Sequence, residues 1–528
     1  MNSKLLEQSR FSMILLLLVG SVLLFCLVPE SSRSGGWTNN VLRNWEDFGF
    51  AKLQGKLVSN PGGFEVFDRP QIYAGHRAYC LYPSYVIGHI FGGAGSVLLP
   101  FYLLLAVLVG ISVTRLLGGN SFAALTACLV VFSPGYIRAA VGLDPLGAVV
   151  LLGFPALVLF IRLLGTKTPT WTSAAGLVFA TTVFAALNWT SIFVFAAFFA
   201  WLLIHPAFSF RRIAGFAGLV IILVGSVGAI SVMDKAQGAA ATPTAGSMQH
   251  YFNSYLFGQI GYDGAPMNWT RACVRLISAN IVGLLPVLIV FLFVAFRSIR
   301  KHGRPALLYL LPLGVTLLSI LGMRNYFAHH PWMAATVLLI GLVLSMQLML
   351  GTDPIASGPG TAPIEIPLSF AMAVLMGGLV YGSAVTLVSR ASARDYDALI
   401  TIVRQHTART DPINIMPQND PWLVENSARL ASLFDRRLVL SNAQLFESQT
   451  SRPATPEYLL TLSRLDERFT LVAQTGNSES GLQETMNAML HWYRTTIAQR
   501  RQGDRLEVSA TYYLYKATGM TGGEQKEP

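Results

Sequence analysis

The sequence predicts an α-helical polytopic membrane protein with about eleven transmembrane helices and a small C-terminal α/β domain outside the cytoplasm. Of its 528 residues, 53% are hydrophobic and 12% are charged, whereas soluble domains carry about 25% charged residues. Apolar runs near the length that crosses a bilayer, about 20 residues or about 17 at the short limit, recur through the first three quarters of the chain. After residue 389 charged residues become frequent and the apolar segments shorten.

About eleven apolar runs are candidate spans. They cover residues 11–28, 96–114, 121–137, 145–161, 172–187, 189–204, 213–232, 277–296, 305–322, 332–350 and 367–388. The first run is long and lacks a small-residue cleavage site before Pro29, so we interpret it as a retained span rather than a signal peptide. The boundary between the fifth and sixth runs is open, because one long helix across Asn188 would also fit and would reverse the topology downstream.

Positive charge orients these spans with the N-terminus in the cytoplasm. The short connections that then lie inside hold Arg115, Arg162, Lys167, Arg211, Arg212 and the basic cluster from Arg297 to Arg304. We therefore predict a membrane domain over residues 1–389, whose first outer loop covers 29–95, and a periplasmic α/β domain over residues 390–528. The net charge of +11 follows from these connections and from cations in the outer loops, so nucleic-acid binding is disfavoured.

The C-terminal domain alternates helix-like and strand-like stretches. Helices are predicted over 391–406, 421–434, 456–465 and 480–499, and strands over 413–416, 437–440, 469–473 and 506–515. Because this part has neither a glycine-rich phosphate motif nor a nucleophile elbow, we assign it no chemistry of its own.

The four cysteines have neither metal-ligand spacing nor the density of a disulfide scaffold. On the predicted topology Cys80 and Cys273 share the oxidising face of the membrane. A disulfide between them is therefore left open, with two free thiols favoured.

The first outer loop contains the most informative segment, Asn44-Trp45-Glu46-Asp47-Phe48. Its helical spacing places Glu46 and Asp47 just outside the membrane among aromatic side chains. A carboxylate that is partly desolvated in such surroundings is suited to accept a proton. The alternative is an acid at a helix start near a membrane surface, which is common and implies no catalysis.

This loop carries a resemblance to a known superfamily. A first span, a large outer loop with an acid beside Trp45 and Phe48, many further helices and an outer C-terminal domain together resemble the GT-C glycosyltransferases. These include the protein O-mannosyltransferases, the lipid A aminoarabinose transferases and the oligosaccharyltransferases. The resemblance implies a polyprenyl-phosphate sugar donor and an acidic residue that activates the acceptor, a role that falls on Asp47 or its neighbour Glu46. The chain lacks the Trp-Trp-Asp-Tyr-Gly signature of the oligosaccharyltransferases, which argues against a peptide asparagine as acceptor.

The turn from Gly322 to Trp332 holds candidate phosphate ligands. It places Arg324, His329 and His330 at the outer membrane surface beside aromatic residues. Arginine grips phosphate with two parallel N–H bonds, and histidine donates hydrogen bonds to it. The alternative is a belt of aromatic and basic anchors at the membrane interface. Phosphate contact is favoured more for Arg324 than for either histidine.

Three further residues are candidate substrate contacts. Asp144 precedes Pro145 at the start of the fourth span, where a helix N-cap is the favoured interpretation and a second acidic site residue the alternative. Arg69 and Arg77 would line the same vestibule, although a salt bridge within the loop explains them equally well. A divalent metal between Asp47 and Asp144 is left open, because the sequence gives no distance between the two carboxylates.

The resemblance thus implies a transferase that moves a hexose or pentose from a polyprenyl-phosphate donor to a lipid, glycan or protein hydroxyl at the periplasmic face of a bacterial inner membrane. One carboxylate suffices because a lipid phosphate leaves as a stable anion, whereas a glycosidase also needs an acid. A polysaccharide polymerase or O-antigen ligase is the nearest alternative. A transporter or non-catalytic scaffold belongs to a different class, but transporters place ionisable residues at mid-span, where these runs have almost none.

Overall fold

The structure is a computed structural model that describes residues 3–28, 37–72, 78–93, 98–141, 145–166, 168, 170–187, 190–239, 269–329, 331–351, 367–415, 427–440, 458–461, 469–474 and 512–517. The chain forms two compact units. The first consists of Met1–Leu27, Ala74–Phe91 and Ser96–Thr386, and the second of Val28–Tyr73, Gly92–Gly95 and Leu387–Pro528. Most of the first outer loop therefore groups with the C-terminal part of the chain, while the domain boundary at residue 389 stays a prediction.

The described helices are, in chain order, α1 Ser3–Leu27, α2 Trp37–Phe48, α3 Tyr82–Ile90, α4 Leu98–Leu116, α5 Ser121–Val131, α6 Pro134–Val141, α7 Pro145–Leu151, α8 Gly153–Leu164, α9 Trp171–Leu187, α10 Ser191–Ile204, α11 Phe210–Ala239, α12 Trp269–His302, α13 Leu311–Gly322, α14 Arg324–His329, α15 Pro331–Leu350, α16 Leu368–His406 and α17 Ser427–Phe434. Short 3₁₀ helices cover Pro61–Gly63, Ala78–Leu81 and Arg304–Leu310. Helix α2 and helix α17 belong to the second unit, and α16 contributes to both units.

Within the described residues, the helices long and apolar enough to cross a membrane are the six segments Leu98–Leu116, Gly147–Leu164, Phe210–Ala229, Leu276–His302, Arg304–Gly322 and Trp332–Leu350. A seventh is counted if α5 and α6, bent by 58° between Val131 and Pro134, form one span. The bend follows from Pro134, whose nitrogen cannot donate a hydrogen bond to the preceding turn. Shorter apolar helices cover Ser12–Leu27, Trp171–Leu187, Ser191–Ile204 and Met372–Leu387. A multi-pass membrane protein fits these helices, and the count of about eleven stays a prediction.

The open boundary between the fifth and sixth predicted runs falls at residues 188–189, which lie outside the described residues. Helix α9 ends at Leu187 and helix α10 begins at Ser191, and the two helices pack against each other. The topology predicted from the basic residues requires the chain to reverse direction at this point, and that reversal stays a prediction.

The core of the first unit is built around α15, whose residues 333–350 are all buried. It packs against α12, α13, α10 and α6. Small residues allow this close packing. A methyl group added to Gly341 would lie 2.4 Å from Thr316 Oγ1, and one added to Gly283 would lie 3.4 Å from the Cα of Gly135.

The second unit contains a five-stranded sheet with β1 Ile413–Ile415, β2 Leu438–Leu440, β3 Tyr458–Thr461, β4 Phe469–Gln474 and β5 Tyr513–Ala517. The strand order is β2-β1-β3-β5-β4. Strand β1 is parallel to β2 and β3, and β5 is antiparallel to β3 and β4. The sheet's core is closed by helices α16 and α17 through the buried residues Leu399, Ile400, Val403, Ile413, Ile415, Leu430, Phe434, Leu460 and Leu514.

Most of the described elements of this unit agree with the sequence prediction, and one does not. The helix predicted over 456–465 is wrong, because Tyr458–Thr461 is a strand with all four residues buried. A short, continuous apolar run fits the periodicity of a helix and of a strand equally well. Here the run forms a strand because it pairs with β1 on one side and β5 on the other. The last strand ends at Ala517 rather than Tyr515. The helix predicted over 480–499 lies outside the described residues.

Candidate functional site

Helix α2 presents the two candidate acids at its C-terminal end. Its apolar face is buried through Val41, Leu42 and Trp45, whereas Glu46 and Asp47 are exposed. The predicted helix is confirmed, but the acids lie in its last turn, so the interpretation as helix-start acids is wrong. Negative charge is unfavourable at this end of a helix dipole. Carboxylates at this position therefore gain from a nearby cation.

The buried face of α2 is tied to the loop that follows it. The indole Nε1 of Trp45 donates to the carbonyl oxygen of Lys56 at 2.8 Å. The amide Nδ2 of Asn44 donates to the carbonyl oxygens of Val58 at 2.9 Å and Asn60 at 3.1 Å. Because both side chains are fully buried, these bonds fix the rotation of the helix and hence the direction in which its acids project.

Arg409, which follows α16, supplies the cation. Its Nη1 donates to Oδ2 of Asp47, and its Nη2 donates to Oδ1 of Asn44 at 2.7 Å. Its Nε and Nη2 also bind the two carboxylate oxygens of Asp435, at 2.8 Å and 3.4 Å. One guanidinium thus connects the exposed acid of α2 to a second, buried carboxylate.

Asp435 is the buried anchor of this network. Its side chain is 0% exposed, and it also accepts hydrogen bonds from Nη1 of Arg43 at 3.1 Å and from the backbone N–H of Gly62 at 3.0 Å. Burial alone would raise the pKa of Asp435, but Arg409, the Gly62 N–H and Arg43 together hold that pKa below its ordinary value. The carboxylate is therefore ionised at neutral pH.

Asp47 is the residue of this network that can accept a proton from a substrate. Its side chain is 50% exposed, whereas the side chain of Arg409 is 16% exposed. One edge of the Asp47 carboxylate is held by the guanidinium, and the remaining surface is open to solvent. A carboxylate held in this way can accept a hydrogen bond or a proton from a hydroxyl group at its open edge.

Glu46 has a different environment from its neighbour. Its Oε1 lies 3.3 Å from the position that a Cβ would occupy at Gly93, where φ is +120°. A side chain at that position would be strained by the backbone and crowded by the carboxylate. Glu46 therefore faces the turn after α3, and Asp47 faces Arg409.

The candidate phosphate ligands belong to the first unit. The predicted turn is in part a short helix, α14, which Arg324 begins and in which Phe327 packs on Phe193 with ring centroids 5.1 Å apart. The guanidinium of Arg138 lies 5.9 Å from the ring centroid of Trp332, at the start of α15. The joint action of Asp47 and Arg324 on one substrate stays a prediction.

Several candidate residues lie outside the described part of the chain. These are Arg77, Asp144, His330 and the side chain of His329. Arg69 is described and exposed, and its backbone carbonyl accepts a hydrogen bond from Nδ2 of Asn60 at 3.1 Å. Among the described residues there is no group of three or more His, Cys, Asp or Glu that could hold a metal. Within the described part of the chain, no disulfide joins Cys80 and Cys273.

Arg409, Asp435 and Arg43 were not predicted from the sequence as residues of the site. Arg409 is separated from Asp47 by 362 positions and from Asn44 by 365 positions. No local spacing relates residues that far apart. The available signal was that charged residues flank the predicted strands of the C-terminal domain, with Arg409 before one strand and Asp435 before the next.

The fold resembles that of a GT-C glycosyltransferase. The crystal structure of ArnT from Cupriavidus metallidurans bound to undecaprenyl phosphate is similar over 98% of this chain and 99% of that chain, with a TM-score of 0.52 and 12% sequence identity. ArnT is a lipid A aminoarabinose transferase of the GT-C superfamily. The resemblance predicted from the sequence is thereby confirmed at the level of the fold. At this sequence identity the similarity shows the fold alone.

Two archaeal structures are more distant. The oligosaccharyltransferase AglB from Archaeoglobus fulgidus in complex with an inhibitory peptide and a dolichol-phosphate has a TM-score of 0.40 and 9% identity, over 83% of this chain and 65% of that chain. An Archaeoglobus fulgidus oligosaccharyltransferase complex with Zn and sulfate has a TM-score of 0.41 and 11% identity, over 82% of this chain and 62% of that chain. Neither is similar enough to support an argument. No family model and no curated protein sequence matches the chain.

Proposed function

We propose that the protein is a membrane glycosyltransferase that uses a polyprenyl-phosphate sugar as donor. The proposal rests on the structural alignment with ArnT, which covers 98% of this chain and 99% of that chain. The ArnT structure holds undecaprenyl phosphate. The acceptor is a hydroxyl group of a lipid, glycan or protein. The site faces the periplasm of a bacterium, and the N-terminus lies in the cytoplasm.

In the proposed reaction the hydroxyl oxygen of the acceptor forms a bond to the anomeric carbon of the donor sugar. Asp47 accepts the proton that this hydroxyl loses. The bond between that carbon and the phosphate oxygen breaks, and the lipid phosphate leaves as an anion with the electron pair. Glu46 is the alternative base. Such a proton transfer typically contributes about 10²- to 10⁴-fold in rate.

The phosphate needs cations as the bond breaks. Arg324 is the proposed principal ligand, assisted by His329 and His330, and Arg69 and Arg77 are the proposed contacts from the first outer loop. Bidentate arginine–phosphate contacts stabilise the charge that develops on the leaving group. Asp144 is proposed as a second acidic residue of the site.

The proposal is tested by the release of the lipid carrier. The full chain, purified in detergent, would be incubated with synthetic undecaprenyl-phosphate hexoses and pentoses and a bacterial lipid extract as acceptor source. Undecaprenyl phosphate would be quantified by mass spectrometry. Release by the wild type, with a loss of about 10² or more in Asp47→Asn, is expected.

The control variant is Glu65→Gln, which removes a negative charge from the same unit at a residue outside the proposed site. It is expected to retain the wild-type rate. Consumption of a diphosphate-linked oligosaccharide in place of the single-sugar donors would refute the proposed donor class and favour a polymerase or ligase. A wild-type rate in Asp47→Asn, with loss of activity in Glu46→Gln, would transfer the role of base to Glu46.

A further inference from the structure

Each side-chain nitrogen of Arg409 donates a hydrogen bond to a residue of the second unit. Nε contacts Asp435, Nη2 contacts Asp435 and Asn44, and Nη1 contacts Asp47. A planar guanidinium presents its donors in a rigid fork. When two of its three nitrogens are fixed by buried partners, the direction of the third is fixed as well. That third nitrogen is the one that holds Asp47.

The buried part of the network does not require Asp47. Asp435 is 0% exposed and is paired with both Arg43 and Arg409, and Asn44 satisfies its remaining hydrogen-bond groups with backbone carbonyls. Asp47 is added at the solvent edge of this arrangement. A half-exposed ion pair of that kind contributes little to stability, so a stabilising role alone gives no reason for the acid to be held there.

We infer that Arg409 is a positioning residue that orients the Asp47 carboxylate toward the acceptor hydroxyl. This inference rests on the proposed function. The C-terminal part of the chain, for which no chemistry was predicted, then acts directly on the site. Catalytic groups act efficiently when neighbours restrict them to the productive geometry, and a displacement of about 1 Å can cost about 10²-fold in rate.

The matched comparison is between Arg409 and Arg43. Both bind the buried Asp435, but only Arg409 also binds Asp47. Lysine at either position keeps the charge and loses the fork. Arg409→Lys is expected to lower kcat by about 10-fold or more, with the KM for the donor within about twofold, because orientation rather than binding is lost. Arg43→Lys is expected to keep kcat within about twofold.

The double variant Asp47→Asn with Arg409→Lys separates positioning from a general structural effect. If Arg409 acts through Asp47, the double variant releases undecaprenyl phosphate at the same rate as Asp47→Asn alone. A further loss in the double variant would overturn the inference. Equal kcat losses in Arg409→Lys and Arg43→Lys, at matched thermal stability, would overturn it as well.

A second readout needs no donor. In a background with Cys26→Ser and Cys273→Ser, the thiol introduced by Asp47→Cys would be titrated with anionic and cationic thiosulfonate reagents. A neighbouring guanidinium favours the thiolate and attracts the anionic reagent. We expect Arg409→Gln to abolish this preference and Arg43→Gln to keep it.

The two readouts separate the failure of the inference from that of the proposed function. A reagent preference that does not depend on Arg409 shows that the contact is not made, and overturns the inference whatever the enzyme does. If the preference depends on Arg409 but the wild type releases no undecaprenyl phosphate from any donor, the proposed function fails. The positioning role then falls with it.

Discussion

Removal of the charge of Asp435 should destabilise the second unit more than removal of any exposed charge in it. Asp435→Asn keeps an oxygen that can accept the hydrogen bond from the Gly62 N–H. It also suits the backbone, because φ at position 435 is +54° and asparagine tolerates the left-handed region better than most residues. The substitution therefore isolates the loss of charge beside Arg43 and Arg409.

The size of the effect follows from the exposure of the three charged groups. Breaking a fully buried pair costs about 3–5 kcal/mol, and an exposed pair contributes about 0–1 kcal/mol. Asp435 is 0% exposed, but the two arginines are 29% and 16% exposed, so water partly solvates the charges left behind. We expect a loss of about 2 kcal/mol, between those limits. Asp47→Asn should cost less than about 1 kcal/mol, because Asp47 is half exposed.

Thermal unfolding of the full chain in detergent, followed by pulse proteolysis that cleaves the unfolded second unit, would measure this difference. About 2 kcal/mol corresponds to about 4–8 °C in Tm for a unit of about 150–250 residues. The control is Asp411→Asn, which keeps an oxygen for the backbone N–H of Ala408 and should stay within about 0.5 kcal/mol of the wild type. A Tm for Asp435→Asn equal to that of Asp411→Asn would refute the argument that Asp435 is a buried, doubly paired anion.

Three further outcomes follow. Burial raises the pKa of Asp435, but Arg409, the Gly62 N–H and Arg43 hold that pKa below its ordinary value in the folded chain. The charge therefore stabilises the fold fully above the ordinary pKa of an aspartate, about 3.9. The Tm gap between wild type and Asp435→Asn should close as the pH falls from there through the folded pKa, and a gap that stays constant to pH 2 would contradict this. Gly62→Ala places a methyl group 2.7 Å from a backbone oxygen at φ +67°, and should cost about 2 kcal/mol or more. Gly49→Ala, with φ +91° and its nearest atom at 3.8 Å, should cost about 1 kcal/mol, so equal Tm losses would show that the contact is not tight. In the first unit, Gly382→Ala places a methyl group 2.6 Å from a backbone oxygen and should lower Tm and monodispersity in size-exclusion chromatography, whereas Gly377→Ala, with nothing within 4 Å, should resemble wild type.

Local properties of the chain were sufficient to predict its class and many of its elements. Apolar side chains stabilise a membrane-spanning helix wherever they lie along it, so hydropathy alone locates candidate spans. Strands β1 and β2 were predicted from short β-branched or apolar runs near turn residues, and the structure has them at Ile413–Ile415 and Leu438–Leu440. The helical start of the first outer loop was predicted from its spacing and is α2.

The candidate site was predictable only in part. Asp47 and Glu46 were identified because they are adjacent acids that lie between Trp45 and Phe48 in the first outer loop. Their position at the end of α2, rather than at its start, depends on where the helix begins, and tryptophan at position 37 is not a residue type that marks a helix start. The strand at Tyr458–Thr461 was missed because a run of four residues has no periodicity that separates helix from strand.

The amino-acid sequence alone was sufficient to predict a membrane protein, the positions of its apolar runs and the polar residues that flank them, because each of these properties is set by residues close together in the chain. Tertiary contacts were needed to show that the Asp47 carboxylate is held by Arg409 while Glu46 faces Gly93. These outcomes depend on contacts between residues far apart in sequence. Burial removes water from a charged group such as Asp435, and the lost hydration must be replaced by a charged partner. For Asp435 one such partner, Arg409, comes from a different segment of the chain.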